Sequence, residues 1–225
     1  MKKAVIFDLD GTLLNTLADL QTAVNLALAA YGLPERSLEE VRKAVGNGIR
    51  RLISRSVPAG TELAVEEAVF ARFKEEYKLH CSDETAPYPG VLELLKRLRE
   101  EGYLLAVVSN KADFAVQELM EQYFPNLYDA ALGETEGIAR KPAPDMVEKV
   151  LKRLDVEKTD SVYVGDSEVD VETARNTGLP CICVTWGFRE KEVLEACGAE
   201  WFAGDTVELY EAVRSVLLRL KTYGF

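Results

Sequence analysis

The apolar run Ala4-Val5-Ile6-Phe7 passes directly into Asp8-Leu9-Asp10-Gly11-Thr12, placing two carboxylates where a buried strand gives way to a glycine turn. Few architectures accept negative charge there. Burial destabilises each ionised carboxylate and mutual repulsion adds to that cost, so such a pair is kept where a cation or a reaction uses it. Residues i and i+2 of a strand point to the same side, and ligands of open α/β sheets bind at the carboxyl ends of the strands. Asp8 and Asp10 are therefore expected to face one bound group. Taken singly, the segment also fits a capping Asp followed by a turn Asp before Gly.

The pattern repeats far down the chain. Ser161-Val162-Tyr163-Val164 again ends in a glycine turn carrying acids, Gly165-Asp166-Ser167-Glu168-Val169-Asp170. Between the two lies a third apolar run, Leu104-Leu105-Ala106-Val107-Val108, ending in the hydroxyl of Ser109 and the amide of Asn110, and then the basic element Arg140-Lys141-Pro142. Each has an ordinary structural explanation: Ser109 and Asn110 as caps of a helix starting near Asp113, Lys141 as a solvated loop cation, Asp170 as a first-turn acid favoured by the helix dipole. Their co-occurrence points instead to one site holding two acidic pairs, a phosphate-sized set of donors and a lysine.

Leu17, Leu20, Val24, Ala27, Leu28 and Tyr31 recur at helical spacing until Gly32-Leu33-Pro34 stops them. Ser37 with Glu40 predicts a capping box and Gly46-Asn47-Gly48 breaks the next run; after Pro58-Ala59-Gly60 a charged helix carries Leu63, Phe70, Phe73 and Tyr77 to His80, the only histidine. No strand pattern interrupts this stretch, so 16–85 reads as an all-helical unit set between two parts of a second domain, 1–15 and 86–225. From Val91 onward helices alternate with short apolar strands near 104–108, 130–132, 161–164, 181–184 and 201–203. That alternation predicts a parallel sheet with helices on both faces.

Asp8-x-Asp10-Gly11-Thr12, Ser109-Asn110, Lys141-Pro142 and Gly165-Asp166-Ser167-x-x-Asp170 together resemble the four motifs of the haloacid dehalogenase superfamily of aspartate-nucleophile phosphatases. Within it the chain is similar to the phosphoglycolate phosphatase-like branch along nearly its whole length, through Gly32-Leu33-Pro34, Val45-Gly46-Asn47-Gly48 and Trp186-Gly187-Phe188-Arg189. Asn15-Thr16 departs from the Asp-Ser usual in relatives, and Thr177 precedes Gly178 where Ala is usual. The resemblance implies a Rossmann-like three-layer α/β core with a mainly parallel sheet, plus a small all-helical cap domain inserted after the first strand and closing over the site. It further implies that Asp8 is the nucleophile, that Mg²⁺ is held by the Asp8 carboxylate, the Asp10 backbone carbonyl and the Asp166 carboxylate, and that Asp170 orients a metal-bound water or Lys141.

The residue types suit those roles. A carboxylate nucleophile divides hydrolysis into two easier displacements, and Mg²⁺ prefers carboxylate, carbonyl and phosphate oxygens. The Asp10 side chain would protonate the leaving alkoxide and then deprotonate the attacking water. The Ser109 hydroxyl, the Asn110 backbone amide, the Thr12 region and Lys141 would hold the transferring oxygens. Because these groups touch only the phosphoryl group, the leaving group must be read elsewhere; Asn47 and Arg50, at a turn and helix start in the insert, are the candidates for reading a substrate carboxylate.

The expected function is Mg²⁺-dependent hydrolysis of a small phosphorylated metabolite, 2-phosphoglycolate by first choice. The alternatives are a pyrophosphatase or sugar-phosphate phosphatase on the same scaffold and a catalytically silent binding protein. Asp10 argues against halide displacement, and Lys43 lacks the surrounding pattern of a phosphonate hydrolase. A net charge of -11 argues against nucleic acid as a partner, because counterion release needs a basic surface. No apolar stretch approaches the ~20 residues of a membrane span, and a first strand beginning at Lys2 or Lys3 leaves no room for a signal peptide, so a cytoplasmic location is expected. Cys81, Cys181, Cys183 and Cys197 lack zinc-site spacing and read as free thiols, with Cys181 and Cys183 on one face of a strand. The sequence is silent on oligomeric state.

Overall fold

The computed structural model describes residues 2–46 and 48–223. Strand β1 (Lys3–Phe7) is followed closely by β2 (Leu14–Asn15), which pairs with β3 (Ala86–Pro87) in a two-stranded sheet of its own. The chain divides into two compact units, one joining the residues up to Leu14 with those from Pro87 onward, the other Asn15–Ala86.

Among its described residues the second unit holds four helices: α1 (Leu17–Ala29), α2 (Leu38–Ala44), α3 (Ile49–Ser56) and α4 (Leu63–His80). Ser37 and Glu40 exchange the expected capping-box bonds, Ser37 N donating to Glu40 Oε2 at 2.8 Å and Glu40 N to Ser37 Oγ at 3.3 Å. Leu20, Val24 and Leu28 of α1 are buried, as are Phe73 and Tyr77 of α4. Three expected core positions are not, and of these Phe70 is only half-buried. Tyr31 falls in the turn beyond the end of α1 and is 45% exposed, and Leu63, the first residue of α4, is 72% exposed. Periodicity gives the phase of a helix face, not the point at which packing begins. Buried Asp19 ties the returning chain down, accepting from Glu84 N (2.8 Å), Thr85 N (2.9 Å) and Thr85 Oγ1 (2.7 Å). His80 closes α4 beside Asp83, its Nδ1 2.7 Å from Oδ2.

The first unit contains β4 (Tyr103–Ala112), β5 (Ala130–Glu134), β6 (Ser161–Gly165), β7 (Cys181–Val184) and β8 (Trp201–Ala203), which with β1 form a six-stranded sheet in the order β5-β4-β1-β6-β7-β8. Its pairings are parallel. Side chains alternate between two cores, as a two-residue period requires. Val5, Phe7, Leu105, Val107, Val162 and Val164 pack with α5 (Val91–Glu100), α6 (Asp113–Tyr123) and α10 (Thr206–Tyr223). Ala4, Ile6, Ala106, Val108 and Tyr163 face α7 (Asp145–Leu154) and Ala174 of α8 (Glu168–Thr177). A strand covered on both faces reads as an unbroken apolar run, which is why β1 shows no polar alternation. Leu194 of α9 (Lys191–Ala196) packs with Val171 and Cys183. Cys181 and Cys183 share a face with sulfurs 3.9 Å apart, and all four cysteines are free thiols. Among the described residues no helix is long and apolar enough to cross a membrane.

Strand β4 outruns its expected end at Val108. Val108 pairs with Leu132 but the next pair is Ala112 with Glu134, so β4 carries two more residues than its neighbour over that interval. An irregularity of this kind re-aims side chains at a strand end. It encloses Ser109, Asn110 and Lys111. No side chain caps α6, which begins at Asp113 after Ala112, so Ser109 and Asn110 are not its caps.

Candidate active site

Parallel pairing brings the carboxyl ends of β1, β4 and β6 to one edge of the sheet, where ligands of open α/β sheets bind. Asp8 N, just beyond the end of β1, donates to Val164 O of β6 at 2.9 Å. The turn that follows is tight: Thr12, Leu13 and Leu14 all donate their N–H groups to Leu9 O. Gly11 stands at φ +91°, and a Cβ there would collide with the Asp166 carboxylate. A Cβ at Gly187 would strike the same side chain from another loop.

Lys141 joins the two acidic elements. Its Nζ lies 2.8 Å from Asp8 Oδ1, donates to Asp170 Oδ1 at 2.8 Å and to the Tyr163 hydroxyl at 3.1 Å. Tyr163 in turn donates to Asp170 Oδ1 at 3.1 Å. The other Asp170 oxygen accepts from Asp166 N (3.2 Å), Ser167 N (3.1 Å) and Ser167 Oγ (2.6 Å). Asp166 accepts from Thr12 Oγ1 at 3.1 Å and from Phe188 N at 2.7 Å, while Trp186 Nε1 donates to Thr12 O at 3.1 Å. Carboxylate oxygens of Asp8, Asp166 and Asp170 all lie within 4.8 Å of one another, a group able to hold a metal ion.

Three buried acids facing one lysine cannot all be equally compensated. Burial raises the Asp8 carboxyl well above the usual carboxylate range; the Lys141 charge opposes this, and the charges of Asp170 and Asp166 reinforce it. Burial and the Asp170 charge push Asp166 up to about 7 against the Phe188 and Thr12 hydrogen bonds. Asp170 goes the other way: burial would raise it, but the charge of Lys141 and bonds from Lys141, Ser167 and Tyr163 hold it below its ordinary value. Lys141 loses to burial but gains more from Asp170 and Asp8, and stays firmly protonated. Asp170 is thus fully provided for within the protein, whereas Asp8 and Asp166 still call for positive charge.

Asp10 stands apart from this cluster, with Ser109 Oγ 3.5 Å from its Oδ2 and Lys111 Nζ 2.6 Å from its Oδ1. Asn110 Nδ2 donates to Lys141 O at 2.9 Å, linking two of the motif segments. Thr12, whose region is expected to help hold phosphate, is fully buried, with its hydroxyl engaged with Asp166. Three contributors escaped the sequence reading. In the sequence Tyr163 reads as strand core, Lys111 as an ordinary residue after Ser109-Asn110, and Phe188 as part of a segment similar to relatives. A lysine next to a buried hydroxyl at a strand end was the one available signal. In the helical unit Asn47 lies outside the described residues, and Arg50 is ion-paired with Glu67 and set over the Phe70 ring, 4.3 Å from its centroid.

Residues 5–184 match the model of the haloacid dehalogenase-like hydrolases. A phosphoglycolate phosphatase of Caulobacter vibrioides is 36% identical over 200 residues, 87% of this chain and 84% of that protein. One from Vibrio parahaemolyticus is 32% identical over 218 residues, 94% of this chain and 96% of that protein. Among solved structures, a Lactobacillus delbrueckii subsp. bulgaricus protein provisionally named a phosphoglycolate phosphatase superposes with a TM-score of 0.90 at 40% identity, covering 95% of this chain and 99% of that one. The chain belongs to the haloacid dehalogenase-like hydrolase family.

Proposed function

We propose that this protein is a Mg²⁺-dependent phosphatase that hydrolyses a small phosphate monoester through an aspartyl-phosphate intermediate, with 2-phosphoglycolate as its substrate and the cytoplasm as its setting. The observation that carries the reading is the pair of under-compensated buried carboxylates, Asp8 and Asp166, delivered by neighbouring strands beside Lys141. Hard oxygen donors in a small space suit Mg²⁺, and Asp8, Asp166 and the Asp10 backbone carbonyl are the groups that would hold it. When bound, the ion supplies the positive charge that lets an anionic nucleophile approach a phosphate dianion.

The chain's own residues do the rest. An Asp8 oxygen forms a bond to phosphorus as the bond to the leaving oxygen breaks, and Asp10 gives that oxygen its proton. Asp10 then takes a proton from the water that releases phosphate and restores Asp8. Lys141 holds the nucleophile by one oxygen and places a fixed cation next to the reacting centre, and the Ser109 hydroxyl and the Asn110 backbone amide are donors for the transferring oxygens. Asp170 and Tyr163 keep Lys141 in place. The likeness to the phosphoglycolate phosphatases named above supports the choice of substrate, and the helical unit is the cap, with Asn47 and Arg50 as its readers of the substrate carboxylate.

Phosphate release from 2-phosphoglycolate, pyrophosphate and a panel of sugar phosphates, with Mg²⁺ and with excess chelator, tests this. The expected result is turnover that chelation abolishes and Mg²⁺ restores, highest in kcat/KM on 2-phosphoglycolate. Full activity in chelator would remove the metal, a better sugar phosphate would reassign the substrate, and inertness on all would overturn the phosphatase reading.

A further inference from the structure

Proton transfer by Asp10 leaves one charged residue without a role. Lys111 is buried, with its side chain only 4% exposed, and lysines are almost never buried that far without a partner. Its partner is Asp10, whose Oδ1 is 2.6 Å from Nζ. The second Asp10 oxygen faces the Ser109 hydroxyl at 3.5 Å, and Ser109 Oγ also accepts the Lys111 N–H at 3.2 Å. Both side chains issue from the irregular stretch of β4, two residues apart. The same local feature that presents Ser109 to the site therefore presents Lys111 to the carboxylate beside it.

An Asp carboxylate rotates broadly about its last side-chain bond, and Asp10 lies beyond the end of β1, at an isolated bridge to Leu14. A charge-assisted bond to one oxygen removes that freedom and thereby fixes the other. We infer that Lys111 is a positioning residue for Asp10, holding Oδ1 so that Oδ2 meets the leaving oxygen and then the water. This rests on the role given to Asp10 above. Misplacement of a reacting group by about 1 Å can cost on the order of 10²-fold in rate, so an anchor that acts only through Asp10 still matters.

The test compares wild type, Lys111→Met, Lys111→Arg, Asp10→Asn and the Lys111→Met/Asp10→Asn double variant. Each is assayed for kcat/KM with Mg²⁺ on ethyl phosphate, 2-phosphoglycolate and p-nitrophenyl phosphate, and melting curves control for folding. kcat/KM reports steps through the first phosphoryl transfer, in which p-nitrophenolate departs without a proton while both alkoxides need one. Lys111→Met is expected to lower kcat/KM by roughly 10- to 100-fold on both alkyl esters and to change it little on p-nitrophenyl phosphate. Lys111→Arg should restore part of the loss, and adding Lys111→Met to Asp10→Asn should cost nothing more. Additive losses in the double variant would show that Lys111 acts independently of Asp10 and overturn the inference. A loss confined to 2-phosphoglycolate would make Lys111 a reader of the substrate carboxylate, and equal losses on all three with lowered melting would make it structural; either result also overturns it. Unchanged kinetics of Lys111→Met in an active enzyme would do the same, whereas a wild type inert on every ester would instead overturn the phosphatase reading on which the inference stands.

Discussion

Each unit carries a prominent ion pair, and the two behave differently because of water. Lys141 and Asp170 are 3% and 0% exposed; Arg50 and Glu67 are 54% and 47% exposed. Out of water, every charge near Lys141 alters its neighbours' protonation, driving Asp170 down and leaving Asp8 and Asp166 high. In the helical unit, solvent and salt screen the Arg50–Glu67 attraction, and the pair can exchange partners at little cost. On the function proposed above, reactivity belongs with the buried cluster and exchangeable recognition with the exposed pair.

The sharpest way to break that contrast is at Asp8. Asp8→Asn should reduce turnover to less than about a hundredth of wild type, because an amide is a poor nucleophile and a weaker metal ligand. The fold, followed by circular dichroism, should persist, since the substitution also relieves repulsion among buried acids. A variant retaining substantial turnover would refute covalent catalysis by Asp8. Asp10→Asn should cost about 10²- to 10⁴-fold in kcat. Its Mg²⁺ affinity by calorimetry should stay close to wild type, because the proposed ligand is the backbone carbonyl; a collapse would make the side chain itself a ligand.

The parallel sheet and the residues at its carboxyl edge were legible in the sequence because their cause is local. Apolar runs such as Ala4–Phe7 and Ser161–Val164 show where buried strands end, and Asp8, Asp10, Asp166 and Asp170 follow them directly. What was not legible depends on pairing between distant segments. Whether Asp170 sits beside Asp166 as a ligand or is satisfied by Lys141, Ser167 and Tyr163 is decided only when three loops meet. Lys111 is hidden for a similar reason: an apolar run that ends at Val108 gives the side chains after it no direction, and the irregular pairing with β5 supplies that direction. In the helical unit the helices were readable but the fate of Arg50 was not, because Glu67 lies on another helix.

The buried cluster also predicts a pH dependence that an exposed pair would not show. A carboxylate whose folded pKa lies above its unfolded value stabilises the protonated fold, so in metal-free protein the Asp166 contribution is lost as pH rises from about 4 through about 7. Bound Mg²⁺ must displace that proton and the one that burial favours on Asp8, so its affinity should climb steeply as pH rises through about 7, by more than about tenfold per pH unit where both protons are displaced. Calorimetric titration from about pH 5.5 to 8.5 would check the slope, and melting curves with and without Mg²⁺ would check the sign, the metal stabilising most at high pH. A flat affinity profile would mean that Asp166 is already ionised without metal.

The smallest effect is expected at the exposed pair. Arg50→Ala removes a guanidinium that Glu67 occupies in this structure, and melting should be unchanged because surface pairs contribute little. If Arg50 leaves Glu67 to read the glycolate carboxylate, KM for 2-phosphoglycolate should rise by roughly 10-fold, as loss of a charge-assisted contact implies. Hydrolysis of p-nitrophenyl phosphate, which offers no carboxylate, should barely move. Glu67→Gln sharpens the comparison: freeing Arg50 from its competitor should lower KM for 2-phosphoglycolate while leaving p-nitrophenyl phosphate unaffected. Equal changes on both substrates would show that Arg50 serves the helical unit in general, and a KM unmoved by either substitution would place carboxylate recognition outside this pair.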